Sequence, residues 1–156
     1  MTNILNKSRK SNFLLEFDSK ELPDIKMYIT NSVIPSFAIS EQKLEPYAVG
    51  INQVAGRPSF GDLSFEVISD ENLEQRNNIH QLMKSVSDPA TGIINPNKRF
   101  NIYQYVLSNK GNPIRKIKFT NCWIPNCSEL QYASNGDDYQ TFTIQVYYEI
   151  WDFENI

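Results

Sequence analysis

The sequence predicts a mainly β domain, an antiparallel sandwich or barrel with one flanking α-helix. Three observations carry that reading. From Thr141 the residues alternate, with Phe142, Ile144, Val146, Tyr148 and Ile150 on one face and Thr143, Gln145, Tyr147 and Glu149 on the other. A period of two is the mark of a strand with one buried and one wet face. Similar alternation recurs along the chain, and only the stretch after Ile68 changes to a helical period. Seven or eight strands around one helix let both kinds of apolar face be buried together.

Each element follows in order. The first dozen residues are polar and read as flexible until assembled. Phe13, Leu15 and Phe17 alternate with Leu14, Glu16 and Asp18 as a first strand. "SKELPD" turns the chain, and Ile25, Met27 and Ile29 form the inner face of a second strand. Val33 to Ile39 is a third, where Pro35 limits pairing to an edge or bulge, with Lys43 to Val49 as its continuation. "GINQVAGRPS", residues 50–59, reads as a long loop because two glycines and a proline interrupt it. Phe60 to Ile68 resumes the alternation, with Leu63, Phe65 and Val67 inward.

In "SDENLEQRNNIHQLMKSV", Ile79, Leu82, Met83 and Val86 fall on one helical face. Ser69 or Asp70 caps its free N–H groups, and Glu71 and Glu74 suit the positive end of its dipole. "SDPATGIINPNKR" ends the helix. Phe100–Leu107 and Ile114–Phe119 flank "SNKGNP" as a hairpin. Residues 128–151 read as another, turning at Asn135-Gly136. No repeat, low-complexity tract or linker divides residues 1–156, which read as one domain.

Composition excludes more than it identifies. At 156 residues the chain buries a core without needing a disulfide or metal. The net charge of −3 gives no reason to expect nucleic-acid binding as the main activity. The opening "MTNILNKSRKSNF" lacks the apolar core of a signal peptide, and no apolar run reaches membrane-spanning length. Cys122 and Cys127 in "NCWIPNC" therefore read as reduced thiols of a cytoplasmic protein rather than a disulfide.

Catalytic ingredients are missing. His80, the only histidine, flanks the helix stripe without a nucleophile and orienting partner in view. With Cys122 and Cys127 it lacks the tight paired spacing of a zinc site. Asp137 and Asp138 read as solvated turn acids. Lys110, Arg115, Lys116 and Lys118 cluster near one hairpin, where cations also guard strands against edge-to-edge pairing. No phosphate-cradling glycine loop is present. No enzyme, cofactor or metal is expected.

Three stretches, taken in order, resemble a known family. They are "VIPSFAISEQKLEPY", "INQVAGRPSFGDLSFEVISDENLEQRNNIHQLM" and "WIPNCSELQYASNGDDYQTFTIQVYYEIW". Together they are similar to the tail tube proteins of contractile-tailed, T4-like bacteriophages, over residues 13–151. The hairpin "YQYVLSNKGNPIRKIKF" fits by position more than by residue identity. The resemblance implies a virion structural protein that forms hexameric rings, assembled in the bacterial cytoplasm. The rings would stack into the inner tail tube, through which phage DNA passes without specific binding. Implied partners are further copies of itself, the sheath protein, the tape-measure protein, the baseplate initiator and the tail terminator, with no membrane.

The resemblance also suggests that the loop between Lys43 and Ser59 reaches to the next ring, with Leu44, Glu45, Tyr47, Val49, Ile51, Val54 and Arg57 as contacts. The wet face of Thr141, Thr143, Gln145, Tyr147 and Glu149 would serve as channel wall or subunit contact. A tube-initiating baseplate protein or a secretion-system tube protein is the alternative within the same fold. From other classes, a monomeric ligand-binding barrel and an oligonucleotide-binding barrel using Tyr103 and Tyr105 remain open.

Overall fold

The computed structural model describes residues 7–44 and 51–156. Its strands are β1 (Phe13–Asp18), β2 (Ile29–Asn31), β3 (Phe37–Leu44), β4 (Ile51–Phe60), β5 (Leu63–Ile68), β6 (Phe100–Leu107), β7 (Pro113–Cys127), β8 (Thr141–Tyr147) and β9 (Ile150–Glu154). One α-helix, α1 (Glu74–Val86), joins β5 to β6. All ladders are antiparallel.

Seven strands form one sheet in the order β1-β6-β7-β8-β5-β2, and β9 also pairs with β7. The long strand β7 organises it. Lys116 to Thr120 pair with Glu154 to Ile150 of β9, and Trp123 to Cys127 pair with Tyr147 to Ile144 of β8. Thus β8 and β9 run successively along one edge of β7. Between these stretches Asn121 takes a left-handed conformation, φ 53°. Asparagine tolerates this better than most residues, and its N–H is held by Asn101 Oδ1 at 3.3 Å. The bend divides the sheet into two four-stranded halves, β1-β6-β7-β9 and β7-β8-β5-β2, that share β7.

The core lies between the halves. Leu15 and Phe17 of β1, Ile102 of β6 and Ile117 and Phe119 of β7 face Leu63, Phe65, Val67, Phe142, Ile144 and Val146. Strand alternation places these side chains inward without exception in β5 and β8. Helix α1 adds Ile79 and Leu82, both buried; Met83 packs at the margin, and Val86 is only partly covered. Its N-terminus is capped by Asp70, whose carboxylate accepts from the N–H groups of Glu74 (3.1 Å) and Gln75 (3.4 Å). Glu71 lies in the turn before the helix.

Several sequence expectations change. Ile25 to Met27 form a 3-10 turn instead of strand, because the chain must close over the core; Ile25 and Leu22 are buried there. The segment around Pro35 is irregular, and β3 begins only at Phe37. Residues 51–59, expected as loop, form most of β4 and pair with β3. The glycine and proline signals mark a bulge instead. The ladder slips between Ile39 and Glu41, opposite Gly56 at φ 97°. The φ of 97° favours glycine, and a β-carbon there would also meet Ser40 Oγ at 2.6 Å, so that hydroxyl would have to turn away. Residues 128–140 are not strand, so the last hairpin has a long connection. Within it Gly136 N–H bonds Ala133 C=O at 3.2 Å, as the fourth residue of a turn, without the positive φ expected for an Asn-Gly hairpin. Ile150 is about half exposed, because the break at Tyr148-Glu149 interrupts the alternation.

Leu82, 3% exposed, is a direct test of how α1 packs. Leu82→Ala should lower unfolding free energy by about 2–5 kcal/mol. His80→Ala, at an exposed position of the same helix, should stay within about 0.5 kcal/mol of the parent in the same denaturant titration.

Candidate assembly surfaces

Strands β3 and β4 pair only with each other and join no ladder of the main sheet. Near its base this hairpin is exposed, with Phe37 and Ile39 each at 54% and residues 56–59 open to solvent. A lone two-stranded ribbon is marginal in water, and this one is anchored at its root. Gly61 N–H bonds Ser36 C=O at 2.8 Å. Tyr148 donates its hydroxyl to Gly61 C=O at 2.6 Å. The rings of Phe37, Tyr148 and Trp151 surround Phe60 at centroid distances of 5.4, 6.1 and 6.3 Å.

The residues expected to contact a stacked ring divide accordingly. Leu44 and Ile51 pair with each other and Val54 pairs with Glu41, so these are ladder positions and not loop, while Arg57 lies in the bulge of β4. Arg57 is exposed. Glu45, Tyr47 and Val49 lie outside the described residues.

The expected wall residues Thr141, Thr143 and Tyr147 are exposed on the outer side of β8, and Gln145 is half-buried there. Glu149 is not on that strand; it sits in the bend before β9, where Asn121 Nδ2 donates to its carboxylate. Register extends the outer face sideways. Ser64 and Asn126 flank Gln145, and Glu66 lies beside Thr143. Glu66 is itself bonded by Asn31 Nδ2. Tyr147 packs edge-on to Trp123 at 5.2 Å, and the Arg99 guanidinium covers Trp123 at 5.2 Å. This half-sheet is therefore polar and nearly uncharged outside.

Sequence reasoning missed its two edges, which only pairing reveals. β2 pairs with β5 alone. On the other side, the Trp123–Cys127 part of β7 pairs with β8 alone, since the β6 ladder ends at Cys122. Pro125 within that stretch was the available signal, because proline in a strand belongs to an edge.

The opposite half-sheet carries a charge ladder. Glu16 accepts from the Tyr105 hydroxyl at 3.3 Å, and Lys116 Nζ lies 4.4 Å from the Tyr103 ring centre. Glu154 pairs with Lys116 at 3.3 Å and Lys118 at 3.6 Å. Half of the basic cluster read from the sequence is thus answered within the molecule. Among the described residues no group of three or more metal-ligating side chains converges, and His80 points to solvent. Cys122 is buried and Cys127 half-buried, both free thiols. Burial raises the Cys127 pKa despite the neighbouring Arg76, whose guanidinium bonds Ser128 C=O and lies 5.3 Å from the Phe142 ring centre.

No protein-family model matches this chain, and no curated protein matches it. Solved structures do. A chain of the anti-feeding prophage baseplate, six-fold symmetrised, aligns with a TM-score of 0.75 at 10% identity, over 97% of this chain and 97% of that one. A chain of the PVC sheath-tube complex, an extracellular contractile injection system in its extended state, aligns at 0.71 with 6% identity, over 96% and 93%. Hcp1 from Flavobacterium johnsoniae aligns at 0.55 with 15% identity, over 90% and 93%. At such identities the likeness is one of fold.

The thiol of buried Cys122 and the hydroxyl of half-buried Tyr148 link the fold to alkaline pH. Burial pushes the Cys122 pKa up to about 12 from 9.0. Burial, with Asp62 nearby, pushes Tyr148 up to about 12 from 10.0. The folded state holds both protons more tightly than the unfolded chain, so it loses stability as pH rises through this window. The denaturation midpoint should fall from about pH 9 towards 12. Tyr148→Phe should remove the part beginning near pH 10, cost about 1 kcal/mol at neutral pH, and speed amide exchange in β3 and β4. Unchanged exchange there would show that the hairpin is held by other contacts.

Proposed function

We propose that this chain is a tube-forming structural subunit of a contractile injection machine, either a phage tail or a related system. One observation carries the reading: among the described residues the half-sheet β7-β8-β5-β2 has unpaired edges on both sides, and its outer face carries few charges. Its four strands alternate in direction, so the β2 of one copy meets the Trp123–Cys127 edge of a head-to-tail neighbour antiparallel. An even strand number lets such a sheet close into a ring without a mismatch, and closure removes the edges that would otherwise aggregate.

Thr141, Thr143, Gln145 and Tyr147 then line the channel. A wall made mostly of hydroxyl and amide groups offers DNA phosphates few counter-charges, so a polyanion is held weakly. The β3–β4 hairpin, including Leu44, Ile51, Val54 and Arg57, projects from each ring as the contact to the next. Six copies per ring and partnership with sheath, tape-measure, baseplate and terminator proteins complete the proposal. The similarity in fold to a baseplate chain favours a second reading, a subunit that starts the tube instead of extending it.

Negative-stain imaging of concentrated protein, with and without a baseplate seed, should reveal rings and tubes. Replacing residues 41–54 by Gly-Ser-Gly should leave a folded domain within about 1 kcal/mol of the parent, because among the described residues the excised strand segments pair only with each other. That variant should form no tubes. A parent protein that sediments as single copies and shows no rings even when seeded would overturn the reading.

A further inference from the structure

The main sheet has a further open edge at β1, which among the described residues pairs with β6 alone, and between β1 and the chain following β2 lies a groove of about 1000 Å³. Its floor includes Gln104, which is buried and bonded by Ser32 Oγ at 3.0 Å. Val33 and Ile34 are exposed beside it, at 44% and 47%. Arg9, Lys10 and Lys26 line it, and no acidic residue does. None of these three cations forms an ion pair among the described residues.

The connection at residues 128–140 is the complement. It contains Glu129, Asp137 and Asp138 and no lysine or arginine. Asp137 and Asp138 have no ion pair among the described residues. Tyr132 and Tyr139 are 72% and 94% exposed. A loop of this length without regular structure usually has a binding role, and tyrosines exposed to this degree are characteristic contact anchors.

Within this molecule the loop does not occupy the groove: none of residues 128–140 lines it. We infer that the 128–140 loop of one copy docks in the β1–β2 groove of a second copy, acidic groups against basic and Tyr132 or Tyr139 against Val33 and Ile34. The contact is heterologous, so it propagates instead of closing on itself. It rests on the head-to-tail self-assembly proposed above.

Sedimentation velocity on the full chain tests this by charge exchange. Asp137→Lys with Asp138→Lys should raise the concentration needed for assembly about tenfold, and Arg9→Glu with Lys10→Glu should do the same. Combining all four should recover at least half of that loss. Salt should weaken the parent contact and not abolish the apolar part. In a second arm, a fluorescein-labelled peptide of residues 128–140 is titrated into the chain at concentrations where it sediments as single copies. Saturable binding that is lost in the Arg9→Glu/Lys10→Glu chain supports the contact whether or not tubes form. Tubes formed normally by both double variants, with no peptide binding, would overturn it and leave the tube reading standing.

Discussion

The bend of β7 at Asn121 is the constraint on which the rest of this molecule depends. A fifteen-residue strand cannot stay straight and still keep its whole inner face against one core. By taking a left-handed step at one asparagine, β7 serves β6 and β9 below the bend and β8 above it. Phe119 and Cys122 stay buried on either side of the step. Two half-sheets result, and the core, the helix lid and the outward faces all follow from their division.

That division also decides where hydrogen bonding is left incomplete. The shared strand gives β9 a partner but leaves Trp123–Cys127 with one ladder only. β2 is reduced to three residues at the far edge. Unpaired edges are a hazard for any β protein, and here they are kept short and interrupted by Pro125. The hairpin of β3 and β4 is a third incomplete element: its ladder joins no other among the described residues, and Phe37, Ile39 and residues 56–59 at its base are exposed.

Charge is distributed to the same effect. On the β1-β6-β7-β9 face, Glu154 answers Lys116 and Lys118 across the strands and Glu16 accepts from the Tyr105 hydroxyl, while Lys110 and Arg115 have no ion pair among the described residues. The β8 face has few charges at all. Unanswered cations remain beside the β1–β2 groove, and unanswered carboxylates remain on the connection after β7. Surface pairs within one chain are weak because water competes for them; opposite charges left over at two ends of a molecule have more to gain when a second copy excludes that water.

The sequence by itself determined which segments alternate and therefore which side chains enter the core. Leu63, Phe65 and Val67, the β8 triplet, and Ile79 and Leu82 on α1 were all legible, because local periodicity is enough to divide a strand or helix into faces. The outward placement of Thr141, Thr143 and Tyr147 followed from the same rule. Tertiary structure decided what periodicity cannot encode. Gly56 and Pro58 look like loop residues in one dimension, yet they are strand because β3 supplies a register in which a bulge accommodates them. Ile25 looks like strand, yet it turns because the chain must close over Leu22 and the core. Glu149 left the wall face because a break between β8 and β9 resets the alternation. The free edges and the groove were illegible for the same reason: an edge is defined by the absence of a neighbour, and neighbours are set by long-range pairing.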